Sequence, residues 1–215
     1  MQSSLFCDNQ ARTIQLEDGE LIYIPNWLSP KLANLYQRQL RRYCQWEQST
    51  IFLAGRTVQI PRLNAWYGDP ATDYQYSGRR FVPLNWFRAL GALRQHLRRQ
   101  LHVQGFDFEP NSALLNCYRD GNDSVSWHAD DEKELGPAPL IASISLGATR
   151  RFLLKHRRGQ QRYRIDLEHG SLLLMLPPLQ QHWRHALPKT KAPVAERINI
   201  TFRQVFAGTT DSTDG

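Results

Sequence analysis

The sequence predicts an α+β chain whose core is a double-stranded β-helix, or jelly roll, with helices flanking it on the N-terminal side. Two observations carry this reading. From Ser112 onward, short runs of branched and aromatic residues recur between glycine and proline turns, the pattern of an antiparallel double-sheet barrel. Before Asn111, two stretches repeat apolar residues at three- and four-residue steps, the period of helices that lay one face on a core.

Taken in order, Leu21-Ile22-Tyr23-Ile24-Pro25 reads as a strand. Ser29-Pro30 then offers a helix N-cap and first-turn pair, and Leu32, Leu35, Tyr36 and Leu40 continue at helical spacing. Residues 51–77, punctuated by Gly55, Pro61, Gly68 and Pro70, predict a hairpin followed by an aromatic loop and no helix. A second helix is expected from Asn85 to Val103 on the repeat Trp86, Leu90, Leu93 and Leu97, with its arginine-rich face turned to solvent. Strands follow at Ala113–Tyr118, Leu140–Leu146, Arg151–Lys155, Gly170–Leu176 and Arg197–Val205. Trp27, Trp46 and Trp86 read as core anchors.

There is no internal repeat and no linker-like stretch. Residues 1–206 are therefore expected to form one domain. Residues 1–110 carry the helices, the hairpin and the loop, residues 111–206 the jelly roll, and 207–215 a flexible tail.

Lysine and arginine number 27 against 20 aspartate and glutamate, a formal charge of +7. Such a balance favours an anionic partner such as nucleic acid, because cations that neutralise phosphates release counterions. The same charge also fits a well-solvated surface that binds nothing. Cys7, Cys44 and Cys117 are few and far apart, which points away from a disulfide framework and from a cysteine zinc site, and toward a reducing compartment. No stretch approaches the length of a membrane span and no leader pattern opens the chain, so a cytoplasmic protein without membrane contact is expected.

Within Trp127-His128-Ala129-Asp130, residues two apart on an extended strand point the same way, so His128 and Asp130 would present an imidazole and a carboxylate to one metal ion. Two histidines and a carboxylate on one face of an octahedral ion leave three positions open, the arrangement of non-haem Fe(II) oxygenases. The third ligand is expected at His185, just before the last strand, with His182 as the competing candidate.

The last strand alternates with period two. Ile198, Ile200 and Phe202 share one face; Arg197, Asn199, Thr201 and Arg203 share the other. On a surface strand the second face would meet water. Between two sheets, inward arginines demand an anion, and a dicarboxylate suits the planar guanidinium. Asn116 and Tyr118, also two apart, would reach the same ligand.

The ordered set Asn116-x-Tyr118, His128-x-Asp130, His185 and Arg197-x-Asn199-x-x-x-Arg203 resembles the AlkB family of oxidative dealkylases over residues 60–205. Pro61-Arg62-Leu63, Trp66-Tyr67-Gly68, Tyr74-x-Tyr76-Ser77, Asp131-Glu132 and Gly147-Ala148-Thr149-Arg150 are similar to its nucleic-acid-repair branch. The resemblance implies Fe(II), 2-oxoglutarate and O2. Iron would be held by His128, Asp130 and His185. 2-Oxoglutarate would be held by Asn116, Tyr118, Arg197, Asn199 and Arg203, with Thr201 on the same face and Arg197 at the distal carboxylate.

It further implies a substrate pocket of Tyr67, Tyr74 and Tyr76 around the damaged base, with Glu132 near its exocyclic amino group. Aromatic faces and a carboxylate would suit a cationic lesion such as 1-methyladenine or 3-methylcytosine. Arg62 and Leu53, the latter at the hairpin, complete the expected substrate-facing set, with Leu53 as an apolar wedge for flipping a base from a duplex. The implied partner is alkylated DNA, single- or double-stranded, met by a monomer. The alternatives are a related oxygenase acting on RNA or protein, and a nucleic-acid-binding module without chemistry.

Overall fold

The computed structural model describes residues 11–206 except 54, 73, 77 and 78; at 53, 71, 74–76 and 79–81 it describes the backbone alone. In chain order the elements are β1 Arg12–Leu16, β2 Gly19–Ile24, α1 Pro30–Tyr43, β3 Thr50–Leu53, β4 Arg56–Gln59, β5 Leu63–Gly68, β6 Tyr74–Tyr76 and β7 Arg79–Phe81. They continue with α2 Arg88–Val103, β8 Ser112–Tyr118, β9 Val125–His128, β10 Ile141–Gly147, β11 Arg150–His156, β12 Arg162–Leu167, β13 Ser171–Leu176, α3 Leu179–His182, β14 Trp183–Leu187 and β15 Arg197–Arg203. Seven strands form one antiparallel sheet in the order β1-β2-β13-β10-β15-β8-β5, and four form a second in the order β12-β11-β14-β9. The remaining pairs, β3-β4 and β6-β7, are hairpins. This is the expected jelly roll with helices against it.

Strand alternation sorts the large sheet into two chemically different faces. Ile198, Ile200 and Phe202 of β15, with Ala113 and Leu115 of β8 and Ile144 of β10, join the helix-side core formed with Leu40 of α1 and Leu90, Leu93, Leu97 and Leu101 of α2. The other face looks at the small sheet. There Leu21, Tyr23, Ile141, Leu173 and Met175 pack with Phe152 and Leu154 at one end. At the other end Asn116, Asn199 and Arg197 line a cavity of about 920 Å³.

The helices are anchored by local chemistry. Ser29 Oγ accepts the Leu32 N–H, Pro30 occupies the first turn, and Arg41 and Arg42 lie in the last turn of α1, where positive charge complements the helix dipole. Helix α2 ends on Gly105 at φ +82°, with Phe106 N–H donating to Leu101 O and Gly105 N–H to His102 O. That paired closure requires a left-handed residue, which glycine adopts without strain.

Three expectations need correction. Helix α2 starts at Arg88 rather than Asn85, because Trp86 is held outside it: its indole N–H donates to Asp69 at 2.7 Å and the Arg94 guanidinium stacks 4.7 Å above its ring. The aromatic stretch Leu63–Gly68 is no loop but β5, the edge of the large sheet, paired in register with β8. Strands β1, β6, β7, β12 and β14 were not foreseen. Strand β12 alternates exposed charged residues with half-buried ones, so only one of its faces reaches the core. Trp27, Trp46 and Trp86 do pack against the helix-side core.

Candidate active site

Both sheets contribute to the cavity. Along β5 the side of Arg62, Asn64 and Trp66 faces it, along β8 Ser112, Leu114, Asn116 and Tyr118, and along β15 Arg197, Asn199, Thr201 and Arg203. Opposite them stand His128 of β9 and His185 of β14, directly paired across the small sheet with ring centroids 4.3 Å apart. Asp130 joins them, and one donor atom from each of His128, Asp130 and His185 lies within 4.8 Å of the other two.

Asp130 is not on the strand that the spacing predicted. Strand β9 ends at His128, so the Asp130 backbone N–H has no ladder partner. It donates instead to Oε1 of the fully buried Gln180 at 3.0 Å. Its carboxylate accepts from Arg203 at 2.5 Å. Burial alone would raise the Asp130 carboxyl, but Arg203, His185 and His128 overcome it and hold the group below the ordinary aspartate range. His185 is pushed down to about 3, by burial first and His128 next, so its ring stays neutral. Glu132, beside them, is raised mainly by desolvation.

Hydrogen bonding shows that this cluster suits a metal. His128 Nδ1 lies 2.8 Å from the Ser126 carbonyl, which can only accept, so Nδ1 donates there and Nε2 is the nitrogen left to face a metal. That is how metal-bound imidazoles are usually oriented. Buried His185 Nδ1 lacks a hydrogen-bond partner among the described residues. Two imidazoles and a carboxylate on one side form a donor set for Fe(II). A second group, Asp18, His156 and His182, is as compact. There His156 Nδ1 accepts N–H bonds from Gly159 at 2.6 Å and Arg158 at 3.3 Å, which puts the ring proton on Nε2, the atom facing Asp18. That nitrogen has no lone pair to offer, and His182, the competing third ligand, belongs to this group and not to the first.

The far end of the cavity is cationic. Arg197 is buried, donates to Ser145 Oγ at 2.8 Å and Asn199 Oδ1 at 2.9 Å, and its Nε has no partner among the described residues. Its guanidinium lies 5.4 Å from the Tyr118 ring. Burial pushes it down to about 10, which leaves it charged at neutral pH, and neither of its acceptors is a carboxylate. Arg62 donates to Asn116 Oδ1 at 2.8 Å, and Asn199 donates to Thr201 Oγ1 at 2.8 Å. All six residues expected at 2-oxoglutarate are thus gathered in one polar wall, and an unpartnered buried guanidinium nitrogen there fits a dicarboxylate.

The substrate side departs more from expectation. Tyr67 does not face the cavity: it is 1% exposed, its hydroxyl accepts the Gln45 N–H at 2.8 Å, and it packs edge-on to Phe87 in the helix-side core. Its neighbour Trp66 faces the cavity instead, with the indole N–H fixed to Ser112 Oγ at 2.8 Å. Choosing between them required the sheet's orientation. Glu132 and Arg62 line the cavity, and Trp46, Glu47 and Glu134 join them. The side chains of Tyr74, Tyr76 and Leu53, and the tail 207–215, lie outside the described residues. On the predicted hairpin the most exposed of the described apolar side chains is Phe52, at 77%, ahead of Ile51 and Val58.

The sequence pattern of the 2OG-Fe(II) oxygenase superfamily matches residues 20–203. The chain is 41% identical over 160 residues to the DNA oxidative demethylase ALKBH2 of Mus musculus, covering 71% of this chain and 65% of that one. It is 37% identical over 192 residues to the alpha-ketoglutarate-dependent dioxygenase alkB homolog 3 of Homo sapiens, covering 85% and 65%. The chain belongs to the AlkB family of 2OG-Fe(II) oxygenases. This AlkB-family chain therefore spans a little under two thirds of the length of those relatives. To the Arabidopsis thaliana ALKBH2 it is 33% identical over 222 residues, covering 91% and 69%. The solved structure of OsALKBH1 superposes with a TM-score of 0.58 at 18% identity, covering 90% of this chain and all of that one, a likeness of fold. No helix among the described residues is long and apolar enough to cross a membrane.

Proposed function

We propose that this chain is an Fe(II)- and 2-oxoglutarate-dependent dioxygenase that removes N-alkyl groups from nucleic-acid bases. Its substrate is alkylated DNA, single- or double-stranded, and it acts as a monomeric single domain in the cytoplasm. The observation that carries the reading is the pairing, in one cavity, of a His/His/Asp cluster with a buried arginine that has no carboxylate partner among the described residues. Relatives named as DNA oxidative demethylases supply the substrate class. The buried free thiols Cys44 and Cys117 fit a reducing compartment.

His128, Asp130 and His185 would hold the metal, and Arg197, Asn116, Tyr118, Asn199, Thr201 and Arg203 the cosubstrate. When bound, Fe(II) with 2-oxoglutarate and O2 supplies oxidation of the N-alkyl carbon, which leaves as an aldehyde while succinate and CO2 are formed. The protein's own residues do the positioning. Arg203 and Gln180 fix the carboxylate and backbone of Asp130. Trp66 offers an aromatic wall for the base, and Glu132, with Glu47 and Glu134 on the same cavity, favours a cationic lesion. Phe52, exposed on the β3-β4 hairpin, would serve as the apolar wedge that opens a duplex.

The direct test is mass spectrometry of single- and double-stranded oligonucleotides bearing 1-methyladenine or 3-methylcytosine, with Fe(II) present and 2-oxoglutarate and O2 added or withheld. Loss of a methyl mass only with both supports the proposal. Conversion of 2-oxoglutarate to succinate with the oligonucleotides untouched would reassign the substrate to RNA or protein. No change in either would leave a binding module.

Two substitutions sharpen the site. Gln180→Leu removes the acceptor for the Asp130 N–H, and should weaken Mn(II) or Fe(II) binding about 10- to 100-fold, as losing a group that orients a metal ligand does. A metal titration with unchanged affinity would remove Gln180 from the site. Trp66→Ala should raise KM for the lesion oligonucleotide roughly tenfold, since base stacking contributes about 1–3 kcal/mol. Tyr67→Phe should instead leave KM alone and lower stability by about 1–3 kcal/mol, through the stranded Gln45 N–H. The reverse pattern would restore Tyr67 to the pocket.

A further inference from the structure

Behind the cationic end of the cavity lies another buried arginine with no place in the mechanism above. Arg150, at the start of β11, is 3% exposed. Its three hydrogen bonds go to backbone carbonyls: Nη1 to Asp120 O at 2.9 Å, and Nη2 to Asp123 O at 2.9 Å and Pro188 O at 2.8 Å. It makes no ion pair among the described residues. The nearby buried carboxylate, Asp123, is taken by Arg119, which donates to it from Nε at 2.7 Å, Nη2 at 2.9 Å and its backbone N–H at 2.9 Å.

The Arg150 guanidinium lies 5.8 Å from the ring centroid of Tyr118, and that of Arg197 lies 5.4 Å from the same centroid. Tyr118 itself is buried and lines the cavity. Arg62, bonded to Asn116 on the same strand as Tyr118, brings a third positive charge to this ring. Burying a cation is costly, and for Arg150 the carbonyl dipoles and the fields of Asp123 and Asp120 offset that cost only in part, since burial still leaves its guanidinium below its ordinary value. Bracing the loops alone would not need the charge to be kept.

We propose that Arg150 is a positioning residue for the cosubstrate's distal carboxylate. It never touches the ligand; it orients Tyr118 from behind and adds its field to that of Arg197. The charges of Arg150 and Arg197 do sense each other, since Arg150 contributes to depressing the Arg197 guanidinium. Entry of a dianion relieves that repulsion. This inference rests on the reading of the cavity as a 2-oxoglutarate site.

The test is anaerobic calorimetric titration of the full Mn(II)-loaded chain with 2-oxoglutarate and with 2-oxopentanoate, which has the same chain length and no distal carboxylate. For Arg150→Gln we expect the Kd for 2-oxoglutarate to rise about tenfold, the effect of one unit charge acting through a partly screened interior. The Kd for 2-oxopentanoate should stay unchanged, as should kcat at saturating 2-oxoglutarate. Arg150→Lys, which keeps the charge and loses the fork, should stay within about threefold of wild type. Equal weakening toward both ligands, or none toward either, overturns the proposal. Should Arg150→Gln not fold, a folded Arg150→Lys protein that loses tenfold for 2-oxoglutarate overturns it as well. A wild-type protein that binds no 2-oxoglutarate would sink the cosubstrate reading itself.

Discussion

Asp130→Ala is expected to abolish demethylation, by roughly 10³-fold or more, since losing a ligand removes several kcal/mol of metal-centred stabilisation at about 1.4 kcal/mol per tenfold. It should also destabilise the metal-free protein. The carboxylate accepts from Arg203 inside the cavity, where both side chains are largely buried. Removing one member of such a pair costs about 3–5 kcal/mol, because the other charge stays behind. His128→Ala supplies the contrast. It deletes a ligand but leaves the Asp130–Arg203 pair, so it should be as inactive and yet melt close to wild type. Metal stoichiometry and thermal melts of the two apoproteins check this. Equal melting temperatures would mean that the pair contributes nothing to the fold.

Arg197→Met is expected to separate binding from stability in the opposite sense. The guanidinium is buried, its acceptors are Ser145 and Asn199, and no carboxylate among the described residues compensates its charge. Taking it away should therefore be neutral or stabilising for the ligand-free protein, by up to about 1–4 kcal/mol when an apolar side chain of similar volume fills the space. Affinity for 2-oxoglutarate should nonetheless fall about 100-fold or more, the loss of a buried charged hydrogen-bond partner being about 2–5 kcal/mol. Wild-type protein should gain melting temperature on adding 2-oxoglutarate with Mn(II), and the variant should not at the same concentration. A variant that melts lower while still binding the dicarboxylate would place the anion site elsewhere.

Both outcomes depend on a contrast that was partly written in the chain. The alternation of Ile198, Ile200 and Phe202 with Arg197, Asn199, Thr201 and Arg203 is local, because successive side chains of a strand point to opposite faces whatever surrounds it. The Ser29-Pro30 helix start and the order of His128, Asp130 and His185 are legible for the same reason: each is a matter of residue type and short spacing. Those features were enough to name a metal cluster, an anion wall and a jelly roll.

What the sequence by itself could not determine is which side of a strand meets which layer, and who holds a residue once its strand has ended. Trp66 and Tyr67 are adjacent aromatics on β5, and only the packing of the large sheet between helices and small sheet sends one to the cavity and the other to the core. Asp130 lies beyond β9 and is held by Gln180, fifty residues away. Arg150 finds its carbonyls 27 to 38 residues distant, in two separate loops. Such partners are set by how two sheets close on each other. A hydrogen bond across that closure leaves no periodicity in the sequence, so the tertiary structure alone decides it.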